Sequence, residues 1–483
     1  GGRGGGGGGG GEAAPAAAAA APPPAEVAED AIRIFAGSTR EQAQTQVLAE
    51  VGKYRARVDW EAEAPKMGYV MEDGSRLPAA AQDEPAKGEC ANARFETAKE
   101  EFRGDVYKNF APGCADCGYS HMAMISRLPK GSLWRWMVAW QTAHGVEGTA
   151  YQHLRYSLSD DAREWSPALE LPIKREGDQA AWAPVLHREV DFATGRETLW
   201  FFYAVSLVCA RHQNGLPERW SPGGDVLAVK TIDGVTWSKP TVVIARDRNN
   251  ERDRNKVIAN QLVKPRHGPW VLPFWDTTES SSADCHLRGP TEAGVLVSAD
   301  QGETWERHGA IRVQDGGKSE SAIEGTLVAL SDGALLQLFR TRLHYLYQSR
   351  SDDQGETWSE PTKTVLPNPN SKVDAIRLDS GELIVAFNNH LRARRKLTLA
   401  VSRDDGETWH AILEVEPGHS GMHYHYPTLV QDGCQVLVVY SHMRYGVPAA
   451  ERDKGGEGGI QVVAVRLDGD AALTPVDATA GVE

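Results

Sequence analysis

An eight-residue pattern, Ser-x-Asp-x-Gly-x-Thr-Trp, occurs three times in full, at Ser298 to Trp305, Ser351 to Trp358 and Ser402 to Trp409. Looser copies end at Trp165 and Trp237. Each residue type has a physical task. The carboxylate accepts backbone N–H bonds inside a tight turn, Gly takes the left-handed conformation, and Trp packs beneath. Three full copies exceed chance, so the chain is built from repeated units whose turns the octad closes.

A second marker alternates with the first: an apolar run, a polar turn carrying Gly, and another apolar run. It recurs around Gly131, Gly195, Gly268, Gly333, Gly381 and Gly433. Thr326-Leu-Val-Ala-Leu-Ser-Asp-Gly-Ala-Leu-Leu-Gln-Leu-Phe339 and Tyr426-Pro-Thr-Leu-Val-Gln-Asp-Gly-Cys-Gln-Val-Leu-Val-Val-Tyr440 are the clearest examples. Each reads as a β-hairpin. A hairpin (strands A and B) followed by an Asp turn joining strands C and D makes one four-stranded antiparallel unit. Six hairpins between about Cys117 and Leu467 predict an all-β fold, a six-bladed β-propeller. The sixth unit lacks an Asp turn and has one further strand, Ile460 to Leu467. An N-terminal strand such as Ala31 to Phe35 is expected to supply its missing edge.

This places the propeller at 114–468, preceded by an extension, 26–113, that packs on and closes it and holds a helical stretch around Thr39 to Tyr54. Residues 1–25 are almost entirely Gly, Ala and Pro and read as a disordered tail, and 469–483 as a C-terminal tail. With 52 basic and 66 acidic residues the net charge is −14, which argues against nucleic acid as a partner. No stretch approaches the roughly 20 consecutive apolar residues of a membrane helix, so a soluble protein, monomeric, is expected. Six cysteines (Cys90, Cys114, Cys117, Cys209, Cys285 and Cys434) are too sparse to define a disulfide framework. Cys114-Ala-Asp-Cys117 lacks the second ligand pair of a zinc site, and no metal or other cofactor is expected. The compartment stays open.

If the A–B and C–D turns share one face, the starts of A, the ends of B and the starts of C share the other, where binding residues ride. That face collects His121, Trp182, Glu324, Asp374 and Tyr426 at starts of A, Arg340 and Asn388 at ends of B, Arg394 before a strand C, and Glu147 in a B–C loop. The loop Leu366-Pro-Asn-Pro-Asn-Ser371 joins them. A Tyr, a Glu and two Arg on one rim suit cleavage of an anionic sugar. A carboxylate nucleophile would repel the substrate's own carboxylate, whereas a Tyr that gives its proton to a nearby Glu does not. Arginines hold the carboxylate with charge-assisted bonds, and a separate acid protonates the leaving oxygen.

Over roughly 117–467 the chain resembles the sialidase (neuraminidase) superfamily, specifically its BNR or Asp-box repeat proteins. The segment Glu324 to Arg340 is similar to the family segment carrying the general-base Glu and, at its end, a carboxylate-binding Arg. Ala393 to Thr398 resembles the segment with another such Arg, which falls on Arg394, and Tyr426-Pro-Thr resembles the segment opened by the nucleophilic Tyr. The resemblance thus implies Tyr426 as nucleophile, Glu324 as its base, and Arg340 and Arg394 as carboxylate grips. Two elements depart from the pattern. The family's Arg-Ile-Pro motif is replaced by Gly118-Tyr-Ser-His-Met-Ala123, which leaves His121 as the substitute, and the acid Asp is unmatched, which leaves Glu147.

The expected activity is a sialidase-like exo-glycosidase on a terminal acidic sugar. Glu147 or His121 would give the proton, and Asp374, Trp182 and Asn388 would contact substrate. Two alternatives remain open. In a polysaccharide lyase on the same scaffold, His121 or Tyr426 would abstract the proton beside a uronate carboxylate neutralised by Arg340; the third reading is a non-catalytic carbohydrate-binding propeller.

Overall fold

The computed structural model describes residues 32–57, 69–71, 97–109 and, within 117–476, all but 174–176, 178, 192–193, 207–208, 211–218, 250–251, 266–267, 279–290, 317, 445–457 and 469–473. The Gly/Ala/Pro tail, Ala31, Cys90, Cys114 and Cys285 lie outside the described residues.

Six antiparallel blades form a β-propeller. In order A to D, blade 1 is Tyr119–Arg127, Trp136–Ala143, His153–Ser159 and Leu169–Glu170. Blade 2 is Ala181–Val190, Glu197–Val205, Asp225–Thr231 and Thr241–Ile244. Blade 3 is Arg252–Ile258, Trp270–Thr278, Glu292–Ser298 and Glu306–Ile311. Blade 4 is Ile323–Ala329, Leu335–Arg340, Tyr345–Ser351 and Thr362–Pro367. Blade 5 is Asp374–Arg377, Leu383–Asn388, Leu397–Ser402 and His410–Glu416. Blade 6 takes Met422–Asp432, Gln435–Arg444 and Gly458–Asp468 from the chain's end and Thr97–Lys108 from its beginning. Inner strands are mostly apolar because both their faces are covered; every residue of Trp136–Ala143 is buried, Gln141 and Thr142 included.

The strand that closes blade 6 corrects the sequence expectation. Ile32–Ile34 pairs instead in parallel with Tyr69–Met71. Three residues cannot cover an eleven-residue edge, whereas Thr97–Lys108 pairs with Gly458–Asp468 from Thr97 opposite Asp468 to Lys108 opposite Gly459. Arg103 then fastens the seam, bonding Glu416 of blade 5, the Val415 carbonyl (2.8 Å) and the Tyr440 hydroxyl (2.6 Å). Within the span read as a C-terminal tail, Thr474–Pro475 adds a fifth strand to blade 5 beside His410 and Ala411. Cys117 and Cys434 are each disulfide-bonded.

The helix Arg40–Arg57 begins on a reciprocal cap: Thr39 N–H donates to Gln42 Oε1 (2.9 Å) and Gln42 N–H to Thr39 Oγ1 (3.3 Å). It docks on the turn face of blade 1, where Arg40 and Gln44 donate to the Leu133 carbonyl and Asp160. No helix among the described residues is long and apolar enough to cross a membrane.

The three full Asp turns share one geometry, and the looser ones at Asp161 and Asp233 keep the carboxylate-to-backbone bonds in a turn one residue shorter. In the turn at 298–305, Asp300 Oδ1 accepts Thr304 N–H (2.8 Å), Oδ2 accepts the Thr304 hydroxyl (2.5 Å), and Ser298 Oγ accepts Gly302 N–H (2.7 Å). These bonds favour the ionised carboxylate and pull the Asp300 pKa down to about 2. The motif's Trp wedges inward. Trp237 is fully buried, donates to the Tyr156 hydroxyl of blade 1 (3.2 Å) and meets the Tyr156 and Phe201 rings edge-on. Removing this indole leaves a cavity between blades 1 and 2, so Trp237→Ala is expected to cost about 3–5 kcal/mol. Urea unfolding checks this; an unchanged midpoint would show that the turn's Trp is not structural.

Candidate active site

On the face opposite the Asp turns, strand A carries a β-bulge near its start in blades 1, 2, 4 and 6, where pairing shifts between His121 and Met124, Trp182 and Val185, Ile323 and Thr326, and His425 and Thr428. In each bulge one non-glycine residue is left-handed: Met122 (φ 58°), Ala183 (49°), Glu324 (51°) and Tyr426 (54°). That conformation costs about 1–3 kcal/mol per residue and re-aims a side chain that regular alternation would direct elsewhere. All four residues line one cavity of about 260 Å³. Buried amides hold the bulges in place. Asn260 Nδ2 donates to the Glu324 and Gly325 carbonyls (2.9 and 3.0 Å), and Gln141 Oε1 accepts Ala183 N–H (2.9 Å).

Arg340, ending strand B of blade 4, connects the polar wall. Its Nη1 donates to Glu324 Oε2 (2.6 Å) and also to the Tyr426 hydroxyl, and its Nε donates to Asn370 Oδ1 (2.7 Å). Burial opposes its charge, but Glu324 and Tyr426 outweigh burial and hold its pKa above the usual guanidinium range. Asn370, itself left-handed (φ 58°), also accepts from Arg394 Nη2 through its carbonyl. Arg394 Nη1 bonds His425 Nδ1 (3.0 Å), which must be the unprotonated nitrogen because a guanidinium only donates. The Arg340 and Arg394 guanidinium carbons lie 5.7 and 5.4 Å from the Tyr426 ring centre.

Burial pushes the Tyr426 phenol well above its ordinary value; Arg340 pulls it down and Glu324 pushes it up, so the resting side chain is a neutral phenol. Glu147 also lines the cavity. Burial, then the charge of Glu324, raises its carboxyl pKa against the opposing Gln141 amide, which donates to Glu147 Oε1 (2.6 Å). Its loop rests on Trp182: a Cβ on Gly148 (φ +78°) would come within 2.9 Å of the indole, so only glycine permits this approach.

Of the sequence-predicted residues, the structure brings Tyr426, Glu324, Arg340, Glu147 and Trp182 to the cavity. Arg394 stands beside the Tyr426 ring. The His121 ring packs against that ring at 4.1 Å, tilted by 36°, is buried, and its Nδ1 has no partner among the described residues. Burial, with Arg394 and Arg340 nearby, holds His121 well below its usual pKa, so it is neutral. Asp374 and Asn388 are fully buried and do not line the cavity. Asp374 accepts from Gln261, Thr326 and Leu429 N–H, while Asn388 donates to the Tyr424 carbonyl. Sequence reasoning missed Gln141, Asn260, Asn370 and Arg342. Asn370 lay in a flagged loop, and the two amides could have been noticed as lone polar groups beside apolar runs. Among the described residues no cluster of His, Cys, Asp and Glu could hold a metal ion.

A family model of the BNR repeat-like domain matches residues 135–438, more than half of the chain. The chain belongs to the BNR repeat-like family. A sialidase from Micromonospora viridifaciens is 25% identical over 224 residues, which cover 44% of this chain. The chain spans about a third of that protein's length, 33%. Among solved structures, a protein of unknown function from Dyadobacter fermentans aligns with a TM-score of 0.57 at 16% identity, over 77% of this chain and 99% of that one. The Ruminococcus gnavus intramolecular trans-sialidase gives 0.51 at 14%, over 76% and 97%. A Trypanosoma rangeli sialidase gives 0.55 at 12%, over 76% and 58%. At these identities the structural likenesses establish the fold, and the BNR-family propeller is sialidase-like.

Proposed function

We propose that this BNR-family propeller is an exo-glycosidase that removes a terminal acidic sugar, with Tyr426 as nucleophile. The observation that carries the reading is the sharing of one Arg340 nitrogen by Glu324 and the Tyr426 hydroxyl, in a cavity that Glu147 also lines. The sialidase names of several relatives support it.

In the first step the Tyr426 oxygen attacks the anomeric carbon while Glu324 takes the phenolic proton and Glu147 gives its proton to the leaving glycosidic oxygen. Arg340 stabilises negative charge on the phenol oxygen as it develops. The product is a glycosyl–tyrosine, with the remainder of the glycan released as an alcohol. In the second step Glu147, now ionised, takes a proton from water, whose oxygen attacks the anomeric carbon. The Tyr426–carbon bond breaks, and Glu324 returns its proton to Tyr426. The sugar leaves with its configuration retained. Glu147 fits the acid's role better than His121, because it lines the cavity with a raised pKa whereas His121 is neutral and does not line it.

The test is incubation with sialyl-lactose and a panel of glycans containing terminal and internal uronates, followed by mass spectrometry. Release of an intact acidic monosaccharide is expected. A product lighter by one water and unsaturated would make the protein a lyase, and binding without turnover would make it a lectin-like propeller.

A further inference from the structure

Tyr426 and Glu324 stand on bulges in blades 6 and 4, and blade 5, whose strand A pairs without a bulge, lies between them. In blade 6 the pairing steps from His425 opposite Ser441 to Thr428 opposite Val439, so Tyr426 and Pro427 together face Tyr440. Proline brings no N–H to the ladder and pushes the residue before it toward extended backbone. Tyr426 is nevertheless left-handed (φ 54°). A conformation held against these preferences has to be fixed by its surroundings.

Three buried side chains of blade 5 do the fixing, at alternate points along the blade 6 strand. Asn388 Nδ2 donates to the Tyr424 carbonyl (3.0 Å), Lys372 Nζ to the Pro427 carbonyl (2.6 Å), and Asp374 Oδ2 accepts Leu429 N–H (2.8 Å). Of the three, Lys372 alone grips a bulged residue. Asp374 Oδ1 also accepts the Thr326 hydroxyl (3.0 Å), just past the bulge that carries Glu324, so both bulges are tied to one strand start.

Lys372 is 1% exposed and does not line the cavity. The charged and titratable groups that face it among the described residues are Asp374, Glu324 of blade 4 and His121 of blade 1. Burial draws its pKa down to about 8 against the opposing pull of Asp374 and Glu324, so the amine is charged at neutral pH. In blade 4 a neutral amide, Asn260, does the corresponding work. A buried ammonium costs more to place, and its charge-assisted bond is roughly twice as strong.

We propose that Lys372 is a positioning residue for the nucleophile: its hold on the Pro427 carbonyl fixes the left-handed bulge from which the Tyr426 hydroxyl reaches Arg340. The inference rests on the reading of Tyr426 as nucleophile and adds to it a residue that touches no substrate.

The test is Lys372→Met, which keeps the reach of the side chain and removes its donors. A fall of about 10–100-fold in kcat is expected, the effect of displacing a reacting group by about 1 Å, with KM and calorimetric binding of the released acidic sugar unchanged. Lys372→Gln, which keeps a donor, should recover part of kcat, and it carries the same measurements should Lys372→Met not fold. Hydrogen exchange read by mass spectrometry should quicken in the segment from Tyr424 to Leu429 and stay unchanged in the other blades. An unchanged kcat, or a loss of kcat matched by weaker sugar binding and faster exchange throughout the propeller, would each overturn the assignment. A wild type that loses activity in Tyr426→Phe but not in Lys372→Met keeps the hydrolase and sinks this inference. A wild type that cleaves no glycan sinks the hydrolase; exchange then decides alone, local quickening keeping Lys372 as the anchor of the bulge and none removing it.

Discussion

Tyr426→Phe is expected to lower kcat on the cleaved glycan by at least about 10³-fold, the scale seen when a covalent nucleophile is removed, and to leave the fold in place. The ring keeps its contact with His121 and with the two guanidinium groups. Arg340 loses one acceptor but retains Glu324 and Asn370, so a stability change of about 1 kcal/mol is expected. Substrate binding should survive, because the phenol is neutral at rest and contributes no charge. Rapid-quench kinetics with intact-protein mass spectrometry gives a second readout: a glycosyl adduct on wild type, absent from the variant. A Tyr426→Phe protein that still turns over within tenfold of wild type would remove tyrosine from the nucleophile's role.

Glu147→Gln separates the acid from the nucleophile. Removing a general acid costs about 10²–10⁴-fold, and the loss should fall on natural glycans, whose alcohol leaving group needs a proton. A 4-nitrophenyl glycoside, whose leaving group needs none, should lose far less in its first step. The pH profile gives the sign. As the proposed acid Glu147 would act protonated, and its pKa is raised by burial and by Glu324, so activity is expected on the acid side and should be lost as pH rises through that raised value. The variant should lack this alkaline limb. Stability moves in the matching direction. A carboxyl whose folded pKa exceeds its unfolded one contributes stability that is present below the unfolded value and disappears as pH rises through the folded value. Glu147→Gln, which cannot ionise, should therefore gain in melting temperature relative to wild type as pH increases over that window. An alkaline limb that persists in the variant would assign it to another group.

The Asp turns and hairpins were legible because their causes are local. A carboxylate that accepts from its own turn, and a glycine at the required positive φ, act within eight residues; the five turns and six blades follow from them. Closure was not legible. The sequence pointed to Ala31 to Phe35 as the edge strand, whereas Thr97–Lys108, which it did not single out, has the length and register that match Gly458–Asp468.

The candidate site divides in the same way. The sequence determined which residues stand at the starts of strand A, the ends of strand B and the B–C loops, because topology alone sends those positions to one rim; Tyr426, Glu324, Arg340, Glu147 and Trp182 reach the cavity for that reason. The tertiary structure decided which of that rim's groups meet. Four left-handed bulges turn selected residues into the cavity, Asn370 from a separate loop organises two arginines, and Asp374 is drawn into the interior by Gln261, Thr326 and Leu429. Those outcomes depend on partners from different blades, and their hydrogen bonds and burial exist only once the ring has closed.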